Sequence, residues 1–511
     1  MHPSVHAATR PDHPAIIMAG SGETLTYAEL DARSNQYAQL FRKVGIKPQD
    51  HIAIFLENCV DFMPLIWAAQ RTGLVYTPIS THLLDEEVAY ILENSGARLL
   101  ITSDYLKTVA TEVRRTASSL EFAFMLRGVA PGFKSLEAAT ADLPTTPVDD
   151  EEGGTQMLYS SGTTGLPKGV LVARPPGSPI TEHSKVALAL VSNFGIGPES
   201  VYLSPAPLYH AAPLAFNTIS MALGGTSVIM ERFDPVKALE AIERYCVTHS
   251  QWVPIMFVRM LKLPEADRTR FDLSTQQIAI HAAAPCPVEV KRDMIEWWGP
   301  RLFEYYASTE GAGFTAIDSV NWLSHPGSVG QPVGCSVRIL DDSGYEIPNG
   351  EVGGVYFSAN DQPFHYHKEP EKTADSFTRD GWATVGDVGY VDDDGFLYLT
   401  DRKHYMIITG GVNVYPQEIE NALITHAEVA DAAVFGLPDP EFGERVHAVV
   451  QPAPGVVGDS ALADRLTTYL RAKMSHIKIP RSIDFDDALP RHDNGKLYKR
   501  RLLERYQQAG Q

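Results

Sequence analysis

The chain has 511 residues, more than one hydrophobic core serves, so two or three domains are expected. Hydrophobic residues make up 44% and charged residues 21%, the balance of an ordinary soluble globular protein. Lys+Arg 43 against Asp+Glu 63 leaves a net charge of -20, which argues against a nucleic-acid binder and against charge-based anchoring on an anionic membrane. Cys59, Cys246, Cys286 and Cys335 stand far apart, with neither metal-ligand spacing nor the density of a secreted disulfide framework. They are expected to be buried thiols in a reducing compartment. Residues 1–14 carry no apolar core of a signal peptide, and no apolar run reaches a membrane span. A cytoplasmic location is expected.

Residues 27–44 have the apolar spacing of an amphipathic helix, with Thr26 placed as its N-cap. A buried strand is expected at 52–56, a helix at 62–72 stopped by Gly73, and further strands at 75–79 and 99–103. This β-α-β-α rhythm implies a mostly parallel sheet covered by helices. It returns between 200 and 305, with strands at 201–204, 226–230 and 277–282 and helices at 235–248 and 287–297. Two α/β subdomains are therefore expected. From about 327 the pattern turns antiparallel. Asp341-Asp342-Ser343-Gly344 and Asp392-Asp393-Asp394-Gly395 each follow a strand pattern as hairpin turns, and a small barrel-like subdomain is expected. A compact α+β pattern runs from the charged stretch Arg402-Lys403-His404 to the end. The fold class is thus α/β, with an N-terminal domain over 1–401, a joint at 402–404 and a C-terminal domain over 405–511.

The segment Tyr159-Ser160-Ser161-Gly162-Thr163-Thr164-Gly165-Leu166-Pro167-Lys168-Gly169 is the most informative. Glycines let backbone N–H groups approach an anion, hydroxyls donate to phosphate oxygens, and the lysine adds a point charge. It is not a Walker A loop, because Gly169 follows Lys168 where a Ser or Thr would stand. Phosphate binding is the reading of this composition.

This segment resembles the phosphate loop of the adenylate-forming superfamily, which comprises acyl-CoA synthetases, luciferase and peptide-synthetase adenylation domains. Further motifs follow in that family's order over nearly the whole chain. Tyr305-Tyr306-Ala307-Ser308-Thr309-Glu310 resembles its Tyr-Gly-x-Thr-Glu motif. By that resemblance Tyr306 lies against adenine, Thr309 touches the α-phosphate and Glu310 binds Mg²⁺, roles that suit an aromatic face and a hard carboxylate. Asp387 matches the aspartate that takes the ribose hydroxyls, and Arg402 the arginine that reaches the ribose or phosphate. Lys496, after Asn494-Gly495, matches the C-terminal lysine that bridges the carboxylate and the α-phosphate during adenylation. Gly410-Gly411 resembles the loop that lines the pantetheine tunnel once the C-terminal domain has rotated about Lys403 and His404. His210, after Ala206-Pro207-Leu208-Tyr209, matches a position beside the acyl group, either placing the carboxylate or gating the thiol. Phe216, Trp252, Val253, Met256, Phe257, Ala282, Ala283, Ala284, Ala307 and Ser308 fall where family members line the acyl pocket.

Several positions depart from the family pattern. Alanine replaces glycine at 282 and 307, and each added methyl is expected to narrow the pocket. His404 and Tyr405 replace the usual hinge residues, which gives the rotation a group that titrates near neutrality. Residues 173–181 are Pro/Gly-rich where family members carry a His-containing motif. The resemblance implies an ATP- and Mg²⁺-dependent ligase that forms an acyl-adenylate and passes the acyl group to CoA. An aromatic or arylpropenoic acid is the favoured substrate, with medium-chain fatty and steroid-type acids as alternatives. An amine acceptor, giving an amide synthetase, would share every ATP motif. A non-catalytic binding relative is the more remote alternative. The oligomeric state stays open, homo-oligomers included.

Overall fold

The computed structural model describes residues 2–160, 167–171, 174–182, 193–358, 364–402, 405–491 and 497–509. The chain divides into two compact units. One is Met1–Gln251 with Thr269–Ala279 and Gln362–Thr373; the other is Trp252–Arg268 with Ile280–Asp361 and Ala374–Gln511.

The first unit holds an eight-stranded sheet in the order His365–Tyr366, Lys168–Leu171, Thr155–Ser160, Val75–Pro78, His51–Phe55, Leu99–Ser103, Phe122–Leu126 and Lys134–Ser135. From Thr155–Ser160 onward the pairs are parallel, whereas Lys168–Leu171 returns antiparallel beside it. The strands at 51–55, 75–78 and 99–103 match the sequence expectation to within a residue. So does the helix Tyr27–Lys43. Thr26 accepts from the Glu29 N–H while Glu29 reaches back to the Thr26 N–H, a reciprocal cap that satisfies two otherwise orphaned donors. The helix Phe62–Arg71 ends before Gly73, whose φ of 69° only glycine adopts without strain.

The same unit carries a second run of strands, Val201–Ser204, Thr226–Ile229, Pro14–Met18 and Thr24–Thr26, together with His249–Trp252 up to Gln251, where the first unit's segment ends. Pro14–Met18 escapes sequence reading, yet it pairs in parallel with Thr226–Ile229, Ile16 opposite Ser227. The helix expected over 235–248 stops at Arg244. Cys246 turns the chain at φ 51°, and His249–Trp252 becomes a strand beside Val201–Ser204.

In the second unit Leu302–Ala307 pairs antiparallel with Phe314–Asp318. The region expected to be barrel-like is a five-stranded antiparallel sheet. Its order is Val337–Leu340, Gly353–Ser358, Asp387–Val391 and Leu397–Arg402, with Trp382–Ala383 added on Gly353–Ser358. Both expected acidic turns are present, with Gly344 at φ 83° and Gly395 at φ 82°. The C-terminal segment forms a further five-stranded sheet around the long pair Val429–Asp439 and Gly443–Pro452. Its core of Ile407, Ile419, Leu423, Val434, Val446, Leu462 and Leu466 excludes water against the helices Pro416–Ile424 and Ser460–Arg471.

The four cysteines form no disulfide, but only Cys59 is buried. Cys246 is exposed because it sits in the turn that ends its helix, and Cys286 and Cys335 are half-buried. The expectation of four buried thiols is corrected accordingly.

Candidate active site

Ser161, Gly162, Thr163, Thr164, Gly165, Lys403, His404 and Lys496 lie outside the described residues, as do the side chains of Ser160 and Arg402. The flanks of the expected phosphate loop are described. Ser160 ends one strand and Lys168 opens the next, paired directly opposite each other, so the loop is the connection of an antiparallel pair. Lys168 is thus a strand residue, with its ammonium 4.9 Å from the centroid of the Tyr366 ring. Gly169 is tightly enclosed: a Cβ there would come within 3.4 Å of the Tyr159 ring, of Met157 and of His367.

In the second unit the Tyr-Ala-Ser-Thr-Glu segment leaves the strand Leu302–Ala307 and turns at Gly311, φ 68°. The Tyr306 hydroxyl donates to Asp387 Oδ2 at 2.5 Å, joining two residues 81 positions apart. The Tyr306 ring packs on Phe357 at 6.0 Å, and Asp387 is buried at the start of its strand. Thr309 and Glu310 are half-buried in the turn. Among the described residues no three His, Cys, Asp or Glu side chains gather as a metal cage. Such a cage is not what Mg²⁺ requires, since it commonly takes one or two carboxylates and completes its shell with water and substrate phosphate oxygens.

Gly410 and Gly411 turn the hairpin between Ile407–Thr409 and Val412–Val414 with φ of 56° and 78°. Two successive left-handed residues explain the glycine pair.

The expected acyl-pocket residues separate by exposure. In the first unit His210 is the N-cap of the helix Ala211–Ala222, edge-on to Tyr209 at 4.6 Å. Phe216 is buried against Phe194 and Tyr202. In the second unit Trp252, Val253, Met256 and Phe257 are buried, with Trp298 set edge-on to both Trp252 and Phe257. Ala282 is buried too, its N–H donating to the Trp252 carbonyl. By contrast Ala283 and Ala307 are exposed, and Ala284 and Ser308 are half-buried. Ala283 holds φ 77°, a conformation costing roughly 1 kcal/mol for any residue with a Cβ.

Sequence reasoning missed one charged cluster. Lys291 on the helix Val288–Trp298 and Glu304 on the strand Leu302–Ala307 form a fully buried ion pair, Nζ to Oε2 2.6 Å. His281 lies beside it, Nε2 3.7 Å from the same carboxylate oxygen. Burial raises the Glu304 pKa while Lys291 opposes the rise. Burial, and then Lys291, hold His281 well below its usual range, so the imidazole is neutral. The sequence signal for Glu304 is its place in the apolar strand Leu302–Ala307, whereas Lys291, followed by Arg292 and Asp293, reads as an ordinary charged helix residue.

Residues 4–362 match the sequence model of the AMP-binding enzyme family and residues 418–496 that of the AMP-binding enzyme C-terminal domain. The chain belongs to the AMP-binding, adenylate-forming enzymes. Over 98% of its length it is 33% identical to a feruloyl-CoA synthase of an Amycolatopsis species, covering 98% of that protein. It is 31% identical to a long-chain-fatty-acid–CoA ligase of Mycobacterium tuberculosis, over 98% of this chain and 97% of the relative. The amide bond synthetase McbA of Marinactinospora thermotolerans superposes with a TM-score of 0.81 and 28% identity, over 97% of both chains. The mixed α/β architecture, with a large N-terminal and a smaller C-terminal domain, is that of this family. No helix among the described residues is long and apolar enough to cross a membrane.

Proposed function

We propose that the chain is an acid–thiol ligase that joins a hydrophobic carboxylic acid, aromatic or arylpropenoic, to CoA through an acyl-adenylate. A carboxylate carbon is a poor electrophile because its own oxygen does not leave. Displacement of pyrophosphate from ATP by that oxygen gives a mixed anhydride with AMP as leaving group, and thiol attack then releases AMP. In this reading Tyr306 stacks on adenine, Asp387 accepts from the ribose hydroxyls, and Thr309, Lys168 and the loop 160–165 hold the phosphates. Arg402 reaches the ribose or phosphate, and His210 stands beside the acyl group. Glu310 holds Mg²⁺, which supplies neutralisation of phosphate charge when bound. Lys496 brings two anions together and stabilises charge at the α-phosphorus. Rotation of residues 405–511 about 402–404 exchanges Lys496 for Gly410-Gly411 between half-reactions.

The observation that carries the reading is the Tyr306–Asp387 hydrogen bond. It joins the aromatic face and the carboxylate that a nucleoside needs, from segments remote in sequence. The feruloyl-CoA synthase relative supports an arylpropenoic acid. The likeness to an amide bond synthetase keeps one second reading, an amine acceptor. The test is pyrophosphate release with ATP, Mg²⁺ and a panel of acids, with and without CoA, products identified by mass. A CoA-dependent thioester of an aromatic acid is expected. Acyl-AMP that accumulates and ignores CoA would move the acceptor to an amine. No pyrophosphate with any acid would refute adenylation.

A further inference from the structure

We infer that Lys291 and Glu304, with His281 as a third member, position the nucleotide-binding end of the strand Leu302–Ala307. This rests on the reading of Tyr306 and Asp387 as residues that hold adenosine.

The argument begins with cost. Both charges are withdrawn from water, Lys291 at 0% and Glu304 at 5% exposure. An apolar pair of similar volume is commonly as stable as a buried ion pair or more so, so stability alone does not account for these two residues. An ion pair is directional where an apolar contact is not. The 2.6 Å contact ties one point on the helix Val288–Trp298 to one point on the strand. The Trp322 ring, 4.8 Å from the Lys291 ammonium, closes that side of the cation. Glu304 lies two residues before Tyr306 in the strand, so the two side chains leave the same face. A shift of Glu304 along or across the strand therefore carries Tyr306 with it, and with Tyr306 its bond to Asp387.

His281 connects the pair to a second segment. It ends the strand Ile278–His281 and precedes Ala282–Ala283–Ala284 directly. Its ring is fully buried, edge-on to Phe257 at 5.4 Å, and neither nitrogen has a hydrogen-bond partner among the described residues. A neutral imidazole left unsatisfied 3.7 Å from a carboxylate is a cation in reserve. The charged groups acting on it are Lys291 and Glu304. Cys286, whose thiol feels the same two charges, is driven upward by burial and stays protonated. While Lys291 is present a second cation at His281 is disfavoured. Without it, protonated His281 is the nearest replacement.

The test uses three variants of the full chain, with KM for ATP and for the acid measured by pyrophosphate release and the fold followed by thermal melting. Lys291→Met/Glu304→Gln removes both charges and leaves no uncompensated ion. It is expected to melt near the wild type while KM for ATP rises about tenfold and KM for the acid stays within about twofold, as a sub-ångström misplacement at a binding site predicts. Lys291→Met alone is expected to show a raised KM for ATP at pH 8 that falls back toward the wild type at pH 6. Adding His281→Asn should abolish that recovery. An unchanged KM for ATP in the folded double variant overturns the inference. So does a Lys291→Met profile parallel to the wild type, because a purely structural ion pair would move the melting temperature only. Tyr306→Phe separates the two claims. If it raises KM for ATP and the double variant does not, the positioning role alone fails. If Tyr306→Phe leaves KM for ATP unchanged, the Tyr306–Asp387 bond serves only the fold and the inference, which acts through that bond, fails, while the nucleotide reading is tested separately by pyrophosphate release.

Discussion

Tyr306→Phe removes one oxygen and little else. The ring and its packing on Phe357 remain, so no cavity opens. What is lost is a hydrogen bond to a buried carboxylate, 2.5 Å long. Hydrogen bonds to charged groups contribute about 1.5–3 kcal/mol, and a value near 2 kcal/mol suits a donor whose acceptor is buried but whose own ring is half-exposed. For a unit of this size each kcal/mol shifts the melting temperature by about 2 °C, so a drop of about 4 °C is expected. In the proposed function the same bond fixes the Asp387 carboxylate for the ribose. If half to all of the 2 kcal/mol appears in nucleotide binding, KM for ATP rises about 5- to 30-fold. The turnover number should stay within about threefold, because adenosine is held alike in ground and transition states. The assay is initial pyrophosphate release against ATP at saturating acid, with KM for the acid as internal control. A variant that melts lower yet keeps the wild-type KM for ATP would show that the bond serves only the fold.

Lys496→Ala is expected to cut pyrophosphate release by about 100-fold or more while nucleotide binding and melting temperature hold, checked by single-turnover assay and melting. Arg71 is fully buried and donates to Glu151, Asp31 and Ser34 at 2.6, 3.0 and 2.8 Å. Arg71→Met should cost about 3 kcal/mol, the low end for a broken buried pair because both acids keep some water, and lower the melting temperature by about 6 °C. His51 is held down to about 4 by burial, His367 and Lys368. The unfolded chain therefore binds the proton first, so stability is full above about pH 6.5, falls as pH drops and levels off near pH 4. His51→Gln should flatten that part of the melting-temperature profile, and a profile parallel to the wild type would discount the residue. Ala307→Gly should favour bulkier acids by up to about tenfold in kcat/KM, the reach of about one methylene in a pocket. Phe257→Leu, a change in the buried cluster, should lower the melting temperature instead.

The reach of the sequence is set by the range over which its signals act. Local patterns placed Thr26 as a cap, Gly73 as a stop and the two Asp-rich turns, because each depends on residues within a few positions. Pro14–Met18 was missed because its partner, Thr226–Ile229, is some two hundred residues away and no local pattern encodes that pairing. The helix ending at Arg244 ran long in the sequence reading because its apolar period continues past Cys246, whose φ of 51° is not written in composition. Motif order proposes Tyr306 and Asp387 separately as site residues, and the bond between them belongs to the fold. Apolar character alone could not separate pocket from core. Phe216, Trp252 and Phe257 are buried in ring clusters, whereas Ala283 and Ala307 are the positions left open to solvent.

Lys291 and Glu304 show the same limit in charge. A lysine and a glutamate thirteen positions apart read as two solvated residues, since a surface pair contributes little and occurs everywhere. Burial changes the sign of the argument. With water excluded, each charge is tolerable only because the other is 2.6 Å away, so neither can move alone. The Tyr306–Asp387 bond two residues along the strand is held in the same way, by a short contact to a buried carboxylate. A strand fixed at both points has little freedom to slide between them. If the segment holds adenosine as proposed, it meets the nucleotide already in place, and less of the ordering cost falls on binding.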